Sequence, residues 1–311
     1  MALHAQLGLL DAAREVRDFQ DEPAQMRAAA PGKVGELRLG FGMRGGRSVL
    51  HDLYRVAPLL VQRALYWDEA MPDLPICSII SVGGGILQGD RYKIDICVGE
   101  EACAHVTTQS ANRIHLMDAN YASQHQTLTL EAGAYLEYLP DFTIPYRDSR
   151  FINQTDIVIA EDATLLYGEM VLAGRKHHHE SERFGLDLLS VAVAVRRPGG
   201  RKLFAEKILI EKGDGSVDLP AVMRGYDAFA NILCLTPPPI AARIKGRFGT
   251  HFPAEAPRAI SGVSRLPNDA GLMLRAVGME TYDVRREVRR FWQIVREEAR
   301  GQTLPQDFLW R

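Results

Sequence analysis

Cysteine is scarce in this chain, with four in 311 residues (Cys77, Cys97, Cys103 and Cys234), each in an apolar, strand-like stretch. That excludes the disulfide framework of a small secreted protein and predicts reduced, mostly buried thiols. An excess of charge of one sign is missing too. The 37 basic and 39 acidic residues leave a net charge of −2, which offers no electrostatic footprint for nucleic acid or an anionic membrane. No apolar run approaches the length of a membrane span. The short patch Leu7–Leu10 runs into Asp11, Arg14 and Glu15 without a basic flank, so no secretory signal is predicted. These absences point to a cytoplasmic protein without nucleic-acid or membrane partners. Nothing resembles a nucleophile elbow, a HExxH helix or a paired-carboxylate cleft, which lowers the expectation of an enzyme.

What is present is repetition. Three times an alternating segment enters a tight acidic or glycine turn and leaves as a second segment that starts with alanine. The copies run Lys93–Val98 to Ala102–Val106, Thr127–Leu130 to Ala134–Tyr138, and Thr155–Ile159 to Ala163–Tyr167. Ala102, Ala134 and Ala163 recur at intervals of about thirty residues, a spacing typical of stacked-coil architectures. Period-two alternation marks strands with one buried face, and no copy can bury that face alone, so the copies must stack or pair.

Around this centre, Gly35–Met43 and Ser48–Tyr54 flank a Gly45-Gly46 turn, and Gly185–Arg196 and Lys202–Glu211 flank Pro198-Gly199-Gly200. Both read as hairpins. Leu59–Arg63, Leu74–Ser81, the end of Val222–Leu235, and Leu272–Val277 read as further strands. The triplet Pro237-Pro238-Pro239 suits the first turn of a helix. One long helix is predicted over Thr281–Ala299, where Val284, Val288, Phe291, Trp292 and Val295 share a face at helical spacing. That face either docks the helix on the scaffold or binds a partner through Val288, Phe291 and Trp292.

Three places are candidates for chemistry. The loop Gly83-Gly84-Gly85-Ile86-Leu87-Gln88-Gly89-Asp90 matches neither a dinucleotide fingerprint nor a P-loop. Its Asp90 either hydrogen-bonds the turn or points into a polar interior. Cys103, His105 and Thr107 share one strand face, a set suited to Ni²⁺ or Zn²⁺ but equally to core packing. His177-His178-His179 sits in a polar loop and is either an incidental metal binder or a transient metal-handling element. A metal-dependent β-fold enzyme using His105 and Cys103, or His177–His179, is the alternative these residues leave open.

The stretch from Gly83 to Arg91, followed by Val98-Gly99 and Thr107-Thr108-Gln109, resembles the UreD-type (in some bacteria UreH-type) urease accessory proteins. The resemblance continues through Leu136-Glu137-Tyr138-Leu139-Pro140, Ser149-Arg150-Phe151, Gly168-Glu169 with Gly174-Arg175, Glu182-Arg183-Phe184, and Gly262–Pro267 with Arg275 and Gly278. It covers about residues 35 to 300. Departures are Ser81-Val82 where a proline-bearing segment is usual, a longer loop after Arg175, and no arginine after Pro305.

The resemblance implies a mainly β fold of stacked, β-helix-like antiparallel strands with a few helices, the longest near the C-terminus. Residues 1–32 would form a flexible or helical extension, 33–235 the scaffold, and 236–311 a helix/strand/helix part packed on it. It also implies a non-enzymatic maturation role with apo-urease, a UreF-type protein and a UreG-type GTPase. Ni²⁺ would be transient cargo on a water-filled internal route, with no cofactor tightly bound. Matched position by position, the route candidates are Asp90, Thr107, Thr108, Gln109 and Glu169. Isolated carboxylates and hydroxyls suit a relay, because they hold a transition metal more weakly than clustered imidazole or thiolate.

Overall fold

The computed structural model describes residues 10–22, 32–213, 215–220, 222–249 and 257–305. Most of the predicted N-terminal extension (residues 1–9 and 23–31) and the end of the chain from residue 306 lie outside the described residues.

In chain order the first strands are β1 (Val34–Arg44), β2 (Arg47–Val56), β3 (Leu59–Leu60), β4 (Ile76–Ser81), β5 (Arg91–Val98) and β6 (Cys103–Thr108). There follow β7 (Asn112–Ile114), β8 (Ala122–Leu130), β9 (Tyr135–Tyr138), β10 (Thr143–Pro145), β11 (Arg150–Ile159) and β12 (Thr164–Leu172). The last are β13 (Leu188–Arg196), β14 (Lys202–Glu211), β15 (Ala228–Leu235), β16 (Ala259–Arg265) and β17 (Gly271–Gly278). The two long helices among the described residues are α1 (Pro238–Phe248) and α2 (Thr281–Arg300).

The strands form two sheets. One runs β14-β13-β11-β8-β5-β1-β2; the other runs β16-β17-β15-β12-β9-β6-β4-β3, with β7 and β10 beside it. Each repeat copy places its first strand in one sheet and its second in the other, so the turn between them is an arch and not a hairpin. Copies then stack in parallel: β5 on β8 on β11, and β6 on β9 on β12. Ala102, Ala134 and Ala163 form a column at the arch exits, each at most 1% exposed. Successive arches are joined by Tyr135 N–H to Ala102 C=O at 2.9 Å and Thr164 N–H to Ala134 C=O at 2.8 Å.

The fold is mainly β and stacked, as expected, but pairing is mixed. Among the described strands it is parallel through the repeat and antiparallel at the flanks, where β1–β2, β3–β4, β13–β14, β12–β15, β15–β17 and β16–β17 pair. The expectation of antiparallel strands is corrected to that extent. A chain that changes sheet at every turn returns to the same sheet in the same direction, which is the geometry of a coil.

Alternation sets what fills the space between the sheets. Leu37, Leu39, Phe41, Ile94, Ile96, Leu128, Ile157, Leu136 and Leu165 pack there in one core. The opposite face of the second sheet carries Leu139, Leu166, Ile232, Cys234 and Leu274, covered by α1 and α2. Helix α1 begins at Pro238 and buries Ala241, Ile244 and Phe248; Gly301, in the left-handed region, ends α2. Strands β16 and β17 extend the second sheet beyond β15, so the C-terminal part completes the scaffold's own sheet. On the far side of the first sheet, Leu10 and Val16 pack against Tyr121, Ile152 and Leu188.

Val288, Phe291 and Trp292 are each fully buried against this second sheet. The reading of these three as partner-binding residues is therefore corrected: they dock α2 on the chain's own core. Three of the four thiols are buried as expected, and Cys97 is exposed.

Candidate functional site

The space between the sheets is not uniformly apolar. On inward positions of β8 and β11, where the alternation calls for aliphatic residues, stand Gln124, Gln126, Asn153 and Thr155. They meet Tyr138 of β9 and Tyr167 and Glu169 of β12. The Tyr138 hydroxyl donates to Gln126 Oε1 at 2.6 Å, and Gln126 Nε2 lies 3.0 Å from Thr155 Oγ1 and 3.2 Å from the Tyr167 hydroxyl. Asn153 Nδ2 donates to Glu169 Oε1 at 2.7 Å, and the Tyr167 hydroxyl donates to the same oxygen. The result is a continuous file of polar side chains through the core.

Three small cavities follow this file. One of about 50 Å³ opens at Gly84, Gly85, Gln109 and Asn112. The next, about 40 Å³, shares Ile79, Ser81, Ile86 and Asn112 with it and runs past Thr108, Gln126 and Asn153 to Glu169. The third, about 30 Å³, shares Tyr167 and Glu169 and continues to Asn231 and Glu206. Each has room for a few waters at roughly 10–15 Å³ per water centre, and their polar walls provide partners for them. Glu169 stands where two of these cavities meet. It lies deep in the protein but keeps some accessible surface, because that surface faces the cavities. Burial pushes its carboxyl up to about 7, against the bonds from Tyr167 and Asn153 that favour the anion.

The route candidates divide. Thr108 lines the middle cavity, and Gln109, exposed, lines the outer one. Thr107 does not take part: its side chain points to the helix-covered face, and its hydroxyl donates to Leu139 C=O at 2.7 Å. Asp90 is fully buried but is a turn brace. Its Oδ1 accepts from Lys33 N–H at 2.8 Å, and its Oδ2 accepts from Leu87 N–H and the Tyr92 hydroxyl, both at 2.9 Å. Of the two readings of Asp90, the geometry supports the turn. The loop it holds carries Gly85 at φ +147°, where a Cβ would meet Arg113 C=O at 2.6 Å; only glycine fits this wall of the outer cavity.

The other metal candidates are not brought together. Cys103 and His105 do share a face, but Cys97 lies in the opposite sheet. Burial pushes the Cys103 thiol up to about 11, which disfavours a thiolate ligand. His105 Nδ1 pairs with Glu137 Oε2 at 2.8 Å, and its ring stacks on Trp292 at 5.2 Å. His177, His178 and His179 are exposed, and His179 caps the turn Glu180–Glu182 by accepting from Ser181 N–H. Among the described residues, no three His, Cys, Asp or Glu side chains are grouped closely enough to hold a metal ion.

Gln124, Gln126, Asn153, Tyr167 and Asn231 were missed by motif reading. Their signal was available: a polar side chain at an inward position of an otherwise alternating strand, as in Phe151-x-Asn153-x-Thr155-x-Ile157. No helix among the described residues is long and apolar enough to cross a membrane.

Residues 33–311 match the family model described as UreD urease accessory protein. The chain is 78% identical to urease accessory protein UreD 2 of Methylorubrum extorquens and 77% identical to urease accessory protein UreD 3 of Methylorubrum populi, over the full length of both chains in each case. It is 50% identical to urease accessory protein UreD of Yersinia enterocolitica, over 96% of this chain and 93% of that one. The chain therefore belongs to the UreD family of urease accessory proteins.

Proposed function

We propose that this chain is a non-enzymatic scaffold for urease maturation that passes Ni²⁺ along the polar file between its sheets. It works in the cytoplasm with apo-urease, a UreF-type protein and a UreG-type GTPase. Ni²⁺ is cargo, and no cofactor is retained. The observation that carries this reading is the chain of small cavities meeting at Glu169. Buried polar groups are costly unless bonded, and a scaffold alone would fill this space with leucine and valine. A file of amide, hydroxyl and single-carboxylate oxygens can replace a cation's water ligands a few at a time. It lacks the imidazole and thiolate clusters that would trap a transition metal.

In this scheme Gln109 lines the outer part of the route, Thr108 lines the middle part, and Glu169 is its charged station. Asp90 shapes the mouth by bracing the glycine loop. Because the Glu169 carboxyl is held up to about 7, a passing divalent ion displaces a proton there, and transfer is faster as pH rises through that value.

Glu169→Gln tests this reading. The amide oxygen still accepts from Asn153 and Tyr167, but the charge is gone. The variant is expected to assemble with urease and the other accessory proteins as the parent does. Nickel-dependent urease activation should fall about tenfold, the equivalent of one pKa unit of interaction, and the remaining activation should lose its pH dependence near neutrality. Parent-like activation by Glu169→Gln would overturn the conduit.

A further inference from the structure

We propose that Glu206 and Arg275 form an ionic latch over the far end of this passage, and that the divalent ion crosses there by replacing the Arg275 guanidinium at the Glu206 carboxylate. The inference rests on the conduit reading and identifies where the conduit ends.

The third cavity is built from both sheets. Tyr167, Glu169 and Asn231 line it from the second sheet; Val191, Glu206 and Ile208 line it from the first. Glu206 is thus the acidic side chain that faces Glu169 across a space of about 30 Å³. Cross-strand register shows how the cavity reaches the surface. Glu169 of β12 pairs with Asn231 of β15, and Asn231 pairs with Arg275 of β17. Residues directly opposite in neighbouring strands project from the same face of a sheet, here the one turned to the first sheet. The row Glu169, Asn231, Arg275 therefore runs outward across three strands, about 10 Å at the usual strand spacing.

Arg275 lies at the outer end of that row and bonds Glu206. The Arg275 side chain is 58% exposed and that of Glu206 is 26% exposed, so the pair stands where the cavity meets solvent. Val191, Val193, Ile208, Leu233 and Met273 make the rest of this wall apolar. An ion leaving Glu169 has one anionic group ahead of it, and that group is covered by a cation.

This arrangement has two consequences. With the latch closed, the guanidinium repels a cation at the mouth and neutralises Glu206, so the interior is closed to stray ions. An ion pair this exposed contributes little to stability and opens readily. A doubly charged ion arriving from Glu169 competes for the carboxylate with a stronger field than the singly charged guanidinium has.

The test compares Glu206→Gln and Arg275→Met in the intact maturation complex. The first keeps the shape of the side chain, and the second keeps much of the aliphatic stem of arginine. The readouts are the rate of Ni²⁺-dependent urease activation and the thermal unfolding of each variant. The latch predicts effects of opposite sign: Glu206→Gln slows activation about tenfold, whereas Arg275→Met speeds it about threefold, since only the first removes a ligand from the path. A mere brace between the sheets predicts equal effects of one sign, because either change breaks the same bond; that result overturns the latch. If both variants match the parent while Glu169→Gln is slow, the latch is wrong and the conduit stands. If Glu169→Gln also matches the parent, the conduit itself has failed.

Discussion

Arg296 carries its charge to a place water does not reach. It is fully buried, and its guanidinium bonds Glu137 through Nε at 2.8 Å and Nη2 at 2.7 Å, and Asp68 through Nη1 at 2.5 Å. Tyr135 and His105 add two more bonds to Glu137, at 2.7 and 2.8 Å. Burial alone would raise the Glu137 carboxyl, but Arg296 and His105 outweigh it and hold the carboxyl well below the usual range. The resulting stability is fully present above the unfolded-state value of 4.5 and is lost as pH falls below it toward the folded value. Arg296→Ala strands two carboxylates and is expected to cost about 3–5 kcal/mol at neutral pH, read by urea denaturation. The gap to the parent should narrow as pH drops below 4.5; a small or pH-independent loss would contradict this account.

At the level of elements, the arch is the unit. Its turn-exit alanines stack with almost no exposure, so a larger side chain there must push neighbouring copies apart. Ala134→Leu, in the middle of the column, is expected to destabilise by about 1–3 kcal/mol, measured as a lower denaturation midpoint with an unchanged slope; a neutral result would mean the column is not tightly packed. The spacing of these alanines was legible in the sequence, but the parallel stacking was not. A hairpin and an arch both read as alternation, turn, alternation. They differ in whether the two segments bond to each other or face each other across a core, which no local pattern encodes. Strand β16 was missed for a related reason: Ala259–Arg265 is a sheet edge, and Ser261, Gly262 and Ser264 blur its two faces. Helix α2 was legible from its apolar spacing, yet Arg296 on its buried side was not, because its partners lie far away in sequence.

For the whole molecule, two sheets enclose a core that is apolar except along one polar file. Glu169, Thr108 and Gln109 are route candidates named through the family resemblance, and they line the cavities, whereas the amides and tyrosines that join them become meaningful only once inward and outward faces are assigned. On the conduit reading proposed above, stations that each carry at most one carboxylate should not retain Ni²⁺. Isolated protein exposed to Ni²⁺ and then dialysed is expected to hold clearly less than one equivalent by atomic emission; a full retained equivalent would indicate a closed binding site instead. The buried ion cluster also has a bearing on biosynthesis. Glu137 and Arg296 are 159 residues apart, and Asp68 and Arg296 are 228 apart. At about 5–20 residues per second, a ribosome makes Glu137 on the order of ten seconds or more before its counter-charge exists. Until then the part of the second sheet's helix-facing side that α2 covers stays open to solvent, so this half of the interior closes only when the last helix has been made.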